Sequence, residues 1–195
     1  SRFYISDTKS EIEDVWNNNK GSRKGVIYSD NSIIGKNSLY FDGNSEVTFG
    51  DILRINSDTT IALWVNLNKD YTSYFTPLVH KDDSYQFHIK NDGSFWFGSY
   101  GNAYTSNNLV WNTNQWYHCV LTWDNNTNTA YFYRDGEYIS SETASDSPNG
   151  GGTFRLGHKR DSGAKLNGYI DDVILYTKLL SNVEVEKLYN YGSIL

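Results

Sequence analysis

The sequence predicts an all-β fold of antiparallel strands, on three observations: the composition, a period-two alternation of apolar side chains, and Asx-Gly pairs set between alternating segments. Aromatic residues make up 16% of the chain, 16 of them tyrosine, against only 2 prolines. Aromatic and β-branched side chains suit a pleated, half-buried surface, and asparagine and glycine suit the turns between strands. Segments 61–67, 84–90 and 93–97 alternate, with Tyr85, Phe87 and Ile89 on one face of the second and Gln86, His88 and Lys90 on the other. Helical spacing fits them poorly.

Turn chemistry then sets the pairing. Asn91-Asp92-Gly93 separates two of these segments, and an Asx-Gly pair tolerates the positive φ of a tight hairpin. Asp135-Gly136 repeats the device after Thr129–Arg134, and the polar tip Asp124–Asn128 joins that strand to Gln115–Trp123. Hairpins of this kind imply antiparallel ladders. One short helix is expected near the C-terminus, where Ser181-Asn-Val-Glu184 forms a capping box ahead of Val185, Leu188 and Tyr189.

The chain has 195 residues and shows no boundary, repeat or low-complexity tract, so it reads as a single domain spanning 1–195. Cys119 stands alone, which excludes an intrachain disulfide and a zinc site built on paired cysteines. Net charge is -6 and neither sign collects into a run, which argues against a nucleic-acid partner. The longest aliphatic and aromatic run, Ile61–Val65, is far short of the roughly 20 residues that span a bilayer, so no membrane insertion is expected. No charged segment followed by an apolar one opens the chain, and methionine is absent throughout, as in a processed protein or a module of a larger one.

In their order and spacing, four stretches resemble the laminin-G-like, concanavalin A-like lectin/glucanase superfamily. They are Ser38–Gly43; Ile61–Val65; Trp116–Trp123 leading to Tyr133–Gly136; and Phe154–Gly157 leading to Gly168–Tyr176. The resemblance implies a jelly roll of two antiparallel sheets, one convex and one concave, closed by the short helix. It also implies a structural Ca2+, held by hard oxygen ligands at Asp42 and Asp171 with the carbonyl of Gly43 and help from Asp14 or Asp172. The residues by themselves leave a second reading open, in which Asp42 shapes a turn while Asp171 and Asp172 cap backbone groups.

Enzymatic chemistry finds little support. Some members of the fold carry alternating carboxylates on a central strand, because retaining glycoside hydrolysis needs two carboxyls roughly 5 to 5.5 Å apart. The comparable run here, Glu11-Ile-Glu-Asp14, lies near the N-terminus and lacks the third acid. His80, His88, His118 and His158 are not accompanied by a nucleophile elbow, and Cys119 reads as a small hydrophobe within a strand. A non-catalytic domain is therefore expected.

Glycan binding is the leading expectation. A pyranose offers C–H groups on one face, so a flat aromatic ring gives it a dry platform while neighbouring polar groups bond its hydroxyls. Stretches 70–77 and 100–108 mix tyrosine with amides and hydroxyls, and Gln86, His88 and Trp96 fall on the polar side of the alternation. The expected ligand-binding set is thus Tyr71, Tyr74, Gln86, His88, Trp96, Tyr100 and Tyr104, in a carbohydrate-binding or lectin-like module of an extracellular, cell-surface or virion-surface protein. Two alternatives are a structural or adhesive domain with a protein partner and a polysaccharide hydrolase or lyase. An exposed apolar patch with a specific oligomer would mark the first, and two carboxylates within catalytic range on the concave face the second.

Overall fold

The computed structural model describes all residues except 1, 5–10, 15–16, 18, 70–73, 100–101, 144–149, 161–162 and 194–195. The strands are β1 (Arg2–Tyr4), β2 (Glu11–Asp14), β3 (Lys20–Lys24), β4 (Ile27–Ser29), β5 (Ser38–Asp42), β6 (Glu46–Phe49), β7 (Thr59–Leu67) and β8 (Phe75–Lys81). They continue as β9 (Gln86–Lys90), β10 (Phe95–Ser99), β11 (Asn102–Thr105), β12 (Trp116–Asp124), β13 (Thr129–Arg134), β14 (Glu137–Thr143), β15 (Phe154–Leu156) and β16 (Asn167–Tyr176), and end in helix α1 (Asn182–Ser193).

Every ladder is antiparallel. The strands form two layers of seven, β11-β10-β9-β8-β15-β6-β3 and β2-β1-β16-β7-β12-β13-β14, with β5 paired to β16 and β4 to β5. The architecture is the jelly roll, and its core is aromatic. Phe95 of the first layer stacks on Phe132 of the second, and Trp123 packs between Phe97 and Tyr104.

Local chemistry explains the elements. Gly93 turns the β9–β10 hairpin at φ +83°, where a Cβ would meet the carbonyl of Leu109 at 2.0 Å, and Asp92 accepts from both the N–H and the hydroxyl of Ser94. Residues Asp135 and Gly136 both take positive φ, as a two-residue hairpin requires. The capping box forms: Ser181 N–H donates to Glu184, and Glu184 N–H donates back to the Ser181 hydroxyl. Helix α1 lies on the outer face of the second layer, where Val185 and Leu180 pack with Ala62, Val120 and Tyr133. Consequently β7 is buried on both faces, whereas the outer face of the first layer carries no helix.

Candidate functional site

The outer face of the first layer carries the polar side of β8, β9 and β10. Ladder register sets Arg155 beside His80 and His80 beside Gln86, and in the next row Pro77 beside His88 and His88 beside Trp96. Three rings therefore stand in file across three strands. His80 stacks on His88 at 5.8 Å between centroids and 14° between planes, and His88 on Trp96 at 5.8 Å and 25°. Phe75 lies across the file edge-on, 5.2 Å from His88 and 5.3 Å from Trp96, and the Lys159 ammonium rests 4.5 Å above the Phe75 ring. Beyond Phe75, Tyr74 makes an edge contact at 4.5 Å and is 65% exposed.

This file is polar, buried and unsatisfied. Both ring nitrogens of His88, Nδ1 of His80 and Oε1 of Gln86 lack a hydrogen-bond partner, although all three residues are buried. Leaving such a group unpartnered costs about 1–3 kcal/mol, so water or a ligand is the natural complement. Burial holds the His88 imidazole well below its usual pKa, with His80 and Lys159 pushing the same way. His80 is lowered to about 4, chiefly by burial, with Asp82 opposing and Lys159, Arg155 and Arg160 reinforcing. Both imidazoles are thus neutral near pH 7. A neutral imidazole offers one N–H and one lone pair, the set that a hydroxyl answers.

Charges beside the ring file are interlocked. Asp82 lies 3.2 Å from Nε2 of His80 and takes two hydrogen bonds of 3.1 Å from Arg155, whose Nη1 also reaches Glu46 at 3.3 Å. Arg160 grips Asp83 at 2.9 and 3.0 Å. Glu46 and Asp82 share one guanidinium between them. Hydrolysis would need a sugar in that gap.

Of the expected ligand residues, Tyr74, Gln86, His88 and Trp96 come together here. Tyr104 does not: 102–105 is a strand, not a loop, and pairing with Phe97 turns its ring inward against Trp123 at 1% exposure. Tyr71 and Tyr100 lie outside the described residues, as do the side chains of Glu11, Glu13 and Asp14.

Sequence reasoning missed Phe75 and His80 as a pair. Five positions apart, they would face opposite ways in a regular strand, but the register of β8 shifts between Pro77 and Val79. This bulge turns Leu78 into the core and aligns Phe75, Pro77 and His80 on one face. The Pro within an otherwise apolar strand was the available signal.

The expected calcium ligands do not converge. Asp42 pairs with Asn167 at one end of β16, and Asp171 lies four residues further along, about 13 Å away at the strand rise. Oδ2 of Asp171 accepts from the N–H groups of Ile33 and Ile34, each at 2.9 Å, and Oδ1 from Asp172 at 2.8 Å. Asp42 accepts from Asn44 N–H and the Ser45 hydroxyl, shaping the turn at Gly43. Among the described residues no three His, Cys, Asp or Glu side chains gather as a metal would require. Among the described residues, Asp42 and Asp171 stand apart and are engaged as the turn-and-cap reading has them.

No curated protein sequence matches the chain. Among solved structures it is similar to the binding domain of Paraclostridial Mosquitocidal Protein 1, at 19% identity and TM-score 0.78, over 97% of this chain and 51% of that one. It is also similar to domain 4 of AbnA, an extracellular arabinanase of Geobacillus stearothermophilus, solved with arabinotriose, at 22% identity and TM-score 0.72, over 89% and 90%. A third is a Trypanosoma rangeli sialidase, at 16% identity and TM-score 0.72, over 96% and 32%. The chain thus spans about half of the mosquitocidal domain and a third of the sialidase, and these likenesses establish fold. The sequence pattern described as the concanavalin A-like lectin/glucanases superfamily matches residues 41–186, and the chain belongs to that superfamily.

Proposed function

We propose that this domain is a non-catalytic carbohydrate-binding module that holds a glycan on the outer face of β8, β9 and β10. The observation that carries the reading is an aromatic ridge of Tyr74, Phe75 and Trp96 above four buried polar atoms without partners. A pyranose face rests on Tyr74 and the exposed part of Trp96. With Phe75 turned aside, a sugar hydroxyl or a bridging water reaches His88 and Gln86. Domain 4 of the arabinanase, similar over nine-tenths of its own length and solved with arabinotriose, supports the reading. It fits a module of a larger extracellular or surface protein.

Affinity electrophoresis against soluble polysaccharides, followed by calorimetry, tests it. Tyr74→Ala and Trp96→Ala are each expected to weaken binding by about tenfold or more, since an aromatic platform contributes on the order of 1–2 kcal/mol. Binding that both variants leave intact would place the site elsewhere.

A further inference from the structure

A second line of rings crosses the outer face of the other layer. Ladder register sets Trp116 of β12 beside Asn66 of β7, Asn66 beside Tyr169 of β16, Tyr169 beside Tyr40 of β5, and Tyr40 beside Ile27 of β4. Their chain neighbours Tyr117, Val65, Leu67, Ile170, Leu39 and Phe41 belong to the core, so by alternation the line points outward. Four strand spacings, roughly 19 Å, separate Trp116 from Ile27. Ring centroids of Tyr40 and Tyr169 lie 5.0 Å apart and those of Tyr169 and Trp116 6.1 Å, so the rings meet across β7. All three are half-buried, and Ile27 at the end of the line is 56% exposed.

Amides accompany the rings. Among the described residues Oδ1 of Asn66 has no hydrogen-bond partner, although the residue is only 3% exposed. Asn31 accepts the Trp116 indole N–H at 3.1 Å on one side of the line. On the other, Asn68 and Asn167 stand two positions from Asn66 and Tyr169, joined by a backbone bond of 3.0 Å. No side chain of the line is charged. Ring faces answer the C–H groups of a sugar and amides answer its hydroxyls, while ions are absent from the row itself. A row one side chain wide is too narrow for a stable protein interface, which takes about 800 Å² per partner.

We propose that this line is a second saccharide-binding site, taking several consecutive residues of a neutral, extended polysaccharide on Tyr40, Tyr169 and Trp116. It goes beyond the site on β8, β9 and β10, because the two lie on opposite faces of the sandwich. One domain thereby holds two chains and gains avidity on a dense polysaccharide.

The test is calorimetry on the full chain with linear neutral oligosaccharides of increasing length, chosen by a glycan array. An NMR titration follows the Trp116 indole N–H, assigned through Trp116→Phe. Two sites are expected, with affinity at the second rising with oligosaccharide length, and the indole resonance should shift on saturation. Tyr169→Ala should weaken the second site about tenfold or more and spare the first, and Tyr74→Ala should do the reverse. Should Tyr169→Ala fail to fold, Tyr40→Ala carries the same expectation. An indole resonance unmoved at saturation, or parent binding by the folded variants, overturns this inference and leaves the first site standing. Self-association that Tyr40→Ala abolishes, with saccharide binding unchanged, overturns it in favour of a protein partner. Binding removed by Tyr169→Ala and untouched by Tyr74→Ala and Trp96→Ala supports this site and removes the first. Silence across the whole array overturns both.

Discussion

His80 and His88 stand face to face on neighbouring strands, 5.8 Å apart and 14° from parallel, with Lys159 acting on both. Neither ring can take a proton without placing charge against the other and beneath the lysine. His118 repeats the situation on the opposite layer: it is buried between Trp64 and Tyr189 of α1, and burial lowers it to about 4. An unfolded histidine titrates near 6.5, so between that pH and about 4 the unfolded chain binds more protons than the folded one, and acid favours unfolding. By pH 4 His118 alone accounts for about 3 kcal/mol. Asp171, raised to about 6 by burial, works the other way: the folded state binds its proton first, and acid relieves the penalty. Four lowered histidines, His158 included, stand against two raised aspartates, Asp135 and Asp171, so the melting temperature should fall steadily from pH 6.5 to 4.5, and His118→Phe should flatten the fall. A level or rising profile in the parent protein would contradict this account.

A second prediction concerns Lys81, whose side chain is 0% exposed. Its ammonium donates to Asp51 at 2.8 Å and to the carbonyls of Ile52 and Gly152, both at 2.7 Å. All three protons are used, which is what allows a lysine to be buried. The bonds pin loop 50–55 and residue 152 against β8, and the buried Tyr85 hydroxyl adds a bond to Leu53 O, in a loop where Leu53 takes the unfavourable φ of +58°. Lys81→Met keeps the volume and removes every donor, leaving two carbonyls unanswered and Asp51 with only Arg54 and the Gly152 N–H. Urea denaturation should show a loss of about 3 kcal/mol. A loss near zero would mean that water replaces the ammonium.

Much of this fold is legible in the chain because alternation and turn chemistry agree. Tyr85, Phe87 and Ile89 point inward as their spacing requires, and Asp92-Gly93 closes the hairpin. The site is only partly legible, since two departures from period two govern it. The bulge at Leu78 brings Phe75 and His80 to one face, and no periodicity contains it. Tyr104 sits among polar and small residues that read as a loop, yet pairing with β10 makes it a core residue. Lys159 reaches Phe75 from a segment far along the sequence, and nothing in its neighbours reveals that meeting.

The two tyrosines make a paired test of this distinction. Tyr104 packs against Phe97 and Trp123, while Tyr74 is 65% exposed and touches Phe75 by its edge. Tyr104→Ala should therefore cost about 3–5 kcal/mol in denaturation and expose Trp123, shifting its emission to the red. Tyr74→Ala should leave the unfolding curve within about 0.5 kcal/mol of the parent and alter ligand binding alone. Reversal of the two outcomes would mean that Tyr104 is the surface residue.

Asp171 supplies the last prediction. The carboxylate is buried, and its two oxygens take the N–H groups of Ile33, Ile34 and Asp172. Those bonds fasten loop 30–37 to β16, and Trp116 helps by donating its indole N–H to Asn31 at 3.1 Å. Both oxygens of this carboxylate are engaged by backbone donors, which is the turn-and-cap arrangement. Treatment with EDTA should therefore leave the melting temperature unchanged, and added Ca2+ should not raise it. Asp171→Ala strands three donors and should cost about 2 kcal/mol or more, with faster amide exchange at Ile33 and Ile34. Asp171→Asn, keeping one acceptor oxygen without the buried charge, should recover most of that loss. If chelation lowers the melt instead, a cation rather than the loop backbone is what Asp171 holds.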